Sequence, residues 1–126
     1  MKMTEDEFEE AVADGLDLVP GELMDMLDNV VFLIRDEPDP DMVGPDDVDG
    51  DGLPTLLGLY DGVALTERGD GWSMAMPDQI FIFRGPLERW CDTREQLAEE
   101  VAVTVIHEIA HHFGIDDERL HHLGWG

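Results

Sequence analysis

The chain has 126 residues, 43% of them hydrophobic, enough for one globular core and too many for a wholly disordered segment. Thirty-one acidic residues face seven basic ones, a formal charge of −24 that repels phosphate backbones and disfavours nucleic acid as a partner. The single cysteine, Cys91, allows no internal disulfide, and no apolar run approaches a membrane span, so no membrane partner is expected. The acidic start MKMTEDEFEE lacks the basic and then apolar order of a signal peptide, which makes the cytoplasm the expected location.

In chain order, Thr4 is placed to cap a helix reaching about Ala13, with acidic residues in its first turn and Phe8, Ala11 and Val12 on one face. Gly15 reads as its breaker. Pro20 opens a second helix with Leu23, Met26 and Leu27 as its stripe. NVVFLIR (29–35) reads as a buried strand. Residues 36–54 hold four of the seven prolines and eight acidic residues, which predicts a mobile acidic loop inserted within one domain, 1–126. Within it Asp47, Asp49 and Asp51 imitate half of a calcium loop, but the twelfth position is Gly58 where a glutamate is needed. LLGLYDGVAL (56–65) predicts one or two short strands about a turn at Asp61-Gly62, and QIFIFR (79–84) alternates like a half-buried strand. Met74 and Met76, beside Trp72, are expected over the core or a cleft edge.

Thr93 and Gln96 have capping-box spacing, and neither Gly nor Pro occurs from Arg94 to Phe113. At 100° per residue Ala98, Ala102, Val105, Ile106, Ile109 and Phe113 share one face of this long helix. His107 and His111 lie roughly opposite, in line with Glu100, and Gly114 ends the helix. Two imidazoles four residues apart project side by side, as a zinc ion requires of such a pair. Glu108, one step of rotation away, can take a proton from water without ligating the metal. The turn at Gly114 delivers Asp117 as a third ligand, completing H-E-x-x-H-x-x-G-x-x-D with one position left for water.

That motif, with GLYDGVALTE, PDQIFIFRGPLE and EVAVTVIHEIAHHFGIDDERLHHLGW, resembles the small bacterial zincin-like metallopeptidases, the minimal zincins. The resemblance covers most of the chain apart from the acidic loop. It implies a compact α+β domain in which a small twisted mixed sheet packs on the helix carrying H-E-x-x-H, with further helices at the N-terminus. It also implies one Zn2+ per chain on His107, His111 and Asp117, Glu108 as catalytic base, and a peptide or protein substrate, the substrate lying along an edge strand. QIFIFR or GLYDGVAL could be that edge. Larger zincins with this motif have a methionine turn beyond the third ligand. Here the last methionine is Met76, so another residue must floor the site, and Trp125 is the candidate.

Four groups are second-rank candidates. His121 or Tyr60 would donate to the oxyanion, Glu100 would hold a ligand histidine by its distal nitrogen, and Trp125 is the floor. Tyr60 reads equally as core, and His112, rotated 100° from His111, as a surface histidine. Two other functions compete with the peptidase: a metal-binding or interaction module without hydrolysis, and a metal-dependent endoribonuclease. The ribonuclease motif with this spacing has Gly in place of Glu108 and His in place of Asp117, and an RNA backbone needs a cationic track that this chain lacks. A homodimer is left open.

Overall fold

A computed structural model describes residues 2–27, 30–62 and 78–122, with Asp117 described in its backbone alone. Helix α1 spans Glu5–Asp17. Thr4 and Glu7 form a complete capping box at its start: the Glu7 N–H donates to Thr4 Oγ1 (3.1 Å) and the Thr4 N–H donates to Glu7 Oε1 (3.2 Å). The helix runs on through Gly15, contrary to the sequence reading. Gly15 is buried where α1 crosses the long helix α4 (Arg94–Phe113), and a Cβ there would stand 2.5 Å from the Ala98 carbonyl oxygen. A glycine that reads as a stop is instead the contact that lets two helices touch.

After α1 comes α2, a single turn over Gly21–Met24 entered from Pro20. It buries Leu23 and leaves Met26 beyond it exposed. Strand β1 (Val30–Arg35) is half-buried rather than buried, because it lies at an edge of the described sheet. The acidic segment expected as a mobile loop carries local structure and is tied to the body near both ends. Pro40–Met42 forms a 3-10 turn, and a short bridge joins Val48 to Pro54. The Arg89 guanidinium grips the Glu37 carboxylate with two hydrogen bonds (3.0 and 2.9 Å) and donates a third to the Pro54 carbonyl (2.7 Å). One side chain thus ties both ends of the segment to the body. Asp49 Oδ1 accepts from the Asp51 and Leu53 N–H groups (2.8 and 3.0 Å), so this carboxylate shapes a turn.

Strand β2 (Gly58–Asp61) and strand β3 (Asp78–Phe83) complete a described sheet of order β1-β3-β2. β1 pairs parallel to β3, with Phe32 opposite Ile80, and β2 pairs antiparallel, with Tyr60 opposite Ile80. The expected partner of β2 beyond Gly62 lies outside the described residues, as do Trp72, Met74 and Met76. β3 does not show the half-buried alternation expected of it. It is the central strand, and Ile80, Phe81, Ile82 and Phe83 are all buried. Ile80 and Ile82 join the main core with α1 and α4, while Phe81 and Phe83, on the alternate face, stack on each other at 6.1 Å.

Helix α3 (Arg84–Trp90) follows β3 directly. Pro86 sits in its first turn, where an N–H has no intrahelical partner to lose. Burial pushes the Cys91 thiol up to about 11, with the charges of Glu100 and Asp92 adding to the shift. Helix α4 buries Leu97, Val101 and Ala110 beside the expected stripe, whereas Phe113 is 40% exposed. Packed on α1 and, across one core, on the sheet, it is the spine of a mixed α+β domain.

Candidate metal centre

The polar face of α4 is fixed at both ends. Thr93 Oγ1 accepts from the Gln96 N–H (3.0 Å), but the Gln96 side chain accepts from the Asp92 N–H (2.9 Å), so the expected capping box is displaced by one residue. At the other end Gly114 adopts φ +72°, the left-handed conformation open to glycine. Its N–H donates to the His111 carbonyl (3.4 Å) and the Ile115 N–H donates to the Ala110 carbonyl (2.8 Å), a Schellman closure. Asp116 Oδ1 then accepts from the Arg119 N–H (2.8 Å), capping helix α5 (Asp117–His122). Three residues, Gly114 to Asp116, therefore separate the two helices, and Asp117 is the first residue of α5. Buried Leu120 seats that helix on the core.

His107 is half-buried and His111 exposed, and their ring centroids lie 6.4 Å apart with planes at 69°. Two imidazoles on one tetrahedral zinc have centroids roughly 5 Å apart. The pair fits after a closure of about 1 Å, which the exposed His111 side chain is free to make by rotation. Among the described residues no three His, Cys, Asp or Glu side chains converge as a metal-holding group. The two imidazoles are a nucleus that needs a third donor, and the Asp117 carboxylate lies outside the described atoms.

Glu108 sits between this pair and the sheet. Its Oε1 accepts from the backbone N–H of Tyr60 in β2 (2.9 Å), and its Oε2 is 4.0 Å from His111 Nδ1. The strand that reaches Glu108 is thus GLYD, and of the two candidate edges QIFIF is the central strand of the described sheet. Tyr60 is half-buried, and its hydroxyl donates to Asp78 Oδ2 (2.8 Å). His112 is exposed, as expected of a surface histidine, yet its ring stacks on Tyr60 at 3.9 Å and 14°.

The remaining candidates part company. Glu100 is seven residues before His107, a rise of about 10.5 Å along the helix, and its charge is felt by Cys91. That places it with the Cys91 end of α4 and away from the imidazoles. His121 is exposed in the last turn of α5, and Trp125 lies outside the described residues. Sequence reasoning missed Asp78 and the Tyr60–His112 stack. Asp78 is the diagonal cross-strand neighbour of Tyr60 in the β2–β3 register, a relation visible only once that register is known.

Charge alone would indicate no more than an acidic surface, but H-E-x-x-H on a long helix, bordered by a sheet strand, defines the zincin class of metal-dependent peptidases. The family model described as zincin-like metallopeptidase matches residues 27–125, and the chain belongs to that family. A conserved hypothetical protein from Thermus thermophilus has a similar structure, with a TM-score of 0.51 at 22% identity. The match covers 88% of this chain and 94% of that one, and at this identity it bears on the fold alone. None of the curated proteins matches the chain.

Proposed function

We propose that this protein is a zinc-dependent peptidase in which His107, His111 and Asp117 hold one zinc ion and Glu108 is the general base. The observation that carries the reading is the placement of Glu108, flanked by the imidazole pair and held from the other side by the Tyr60 N–H. Bound there, zinc would supply Lewis-acid polarisation of the scissile carbonyl and of the attacking water. Glu108 takes the proton from that water and returns it to the leaving amine, so one carboxylate serves both halves of the reaction. His107 and His111 must each offer an unprotonated ring nitrogen to bind, so zinc binding is coupled to proton release. A polypeptide is the substrate that suits these groups. A chain of −24 is a poor match for a nucleic acid. The reading also keeps the protein in the cytoplasm, with its one thiol buried and unpaired.

The test is metal-stripped protein titrated with zinc, beside Asp117→Ala and Glu108→Gln. One zinc per chain, weakened strongly by Asp117→Ala, is expected. Glu108→Gln should keep the zinc and lose peptide cleavage by about 10²–10⁴-fold. Cleavage that survives Glu108→Gln, or zinc binding indifferent to Asp117, would overturn the assignment.

A further inference from the structure

Tyr60 reads in sequence as a candidate oxyanion donor, but its hydroxyl is directed to Asp78, and three other contacts of the residue bear on the H-E-x-x-H helix. The backbone N–H holds Glu108 Oε1 at 2.9 Å. The ring lies flat on His112 at 3.9 Å and meets Phe113 edge-on at 6.4 Å. The hydroxyl is anchored at 2.8 Å on the first residue of β3, the central strand. One residue therefore joins the sheet to α4 at three points, and the carboxylate read above as the base hangs from one of them.

We infer that Tyr60 is a positioning residue, a clamp locked by Asp78 and His112 that sets where the Glu108 carboxylate points. The inference rests on the reading of Glu108 as general base. The physical argument is one of rotamer freedom. A glutamate side chain has three rotatable bonds, and only 21% of this one is exposed to solvent. A donor on a regular strand holds one oxygen in place and leaves the other turned toward the imidazoles. Strand β2 has only four residues and would drift if its hold on α4 depended on backbone pairing alone. The stacked ring and the Asp78 hydrogen bond remove that drift. A displacement of about 1 Å in a catalytic group costs on the order of a hundredfold in rate, so a clamp this close to the base acts on turnover more than on binding.

Tyr60 is the only tyrosine in the chain, so labelling with 15N-tyrosine gives a single backbone amide signal. Hydrogen exchange at that amide should quicken by about tenfold or more in Glu108→Ala, and by several-fold in Asp78→Ala. In the peptidase assay Asp78→Ala should lower kcat by about tenfold while KM stays within about twofold and the zinc content is unchanged. Asp78→Asn keeps an oxygen acceptor for the hydroxyl and should recover most of that loss. Tyr60→Phe should resemble Asp78→Ala, and Tyr60→Leu, which also removes the stack, should be worse. Exchange at Tyr60 that ignores Glu108→Ala would overturn the clamp, as would wild-type kcat in Tyr60→Leu. If the wild-type protein cleaves no peptide, the peptidase reading falls by itself. The exchange measurements then still decide whether Tyr60 holds Glu108.

Discussion

Replacing Gly15 by alanine tests whether the α1–α4 crossing is as close as the structure has it. The new Cβ would stand 2.5 Å from the Ala98 carbonyl oxygen and 2.8 Å from Val101 Cβ. Backbone cannot rotate away as a side-chain tip can, so one helix must shift. Overpacking of this kind costs about 1–3 kcal/mol, and a backbone contact this close argues for the upper end. Alanine in a helix interior returns about 1 kcal/mol over glycine, leaving a net loss of about 2 kcal/mol. For a domain of this size each kcal/mol moves Tm by about 3–5 °C, so a fall of about 6–10 °C is expected. Gly21→Ala is the control, because a Cβ there meets nothing within 4 Å. Urea unfolding of both variants measures the difference, read at constant m so that compactness is unchanged. A Gly15→Ala protein as stable as Gly21→Ala would mean that the helices do not approach as described.

Three further outcomes follow from single contacts. Asp116→Ala removes the cap of α5 and should cost about 1 kcal/mol, with zinc affinity falling if Asp117, the proposed third ligand, depends on that cap. Arg89→Ala should change global stability by less than about 1 kcal/mol, since the Glu37 pair is partly exposed. It should still speed limited proteolysis within residues 38–53 markedly, because both ends of that segment are released. Cys91 is neutral and buried, with its thiol raised to about 11 from a usual value near 9. Its contribution to stability is therefore complete below about pH 9 and is lost as pH rises toward 11. Wild type should lose stability across that window faster than Cys91→Ala, and the native thiol should resist a disulfide reagent at pH 8.

Helix α4 was legible at every level of the sequence. Thr93, an interior free of Gly and Pro, an apolar stripe and Gly114 all specify the same helix, and H-E-x-x-H lies on its polar side because spacing alone dictates it. The close of α4 at Gly114 and the start of α5 at Asp117 were legible for the same reason, since Gly114 and Asp116 act through their own local backbone. Gly15 was misread because a glycine's local meaning is a stop, whereas here its missing Cβ is filled by another helix 83 positions away at Ala98. β3 was misread because alternation reports how one strand meets solvent, and this strand has a partner on each edge and cover on both faces. The hold of Tyr60 on Glu108 spans 48 residues of chain, and the bond from Tyr60 to Asp78 spans 18. Contacts within a helical turn are encoded by neighbours, so the sequence by itself determined the motif and the helix that carries it. Contacts across the sheet depend on register and on which strand lies beside α4, and those only the packed tertiary structure decides.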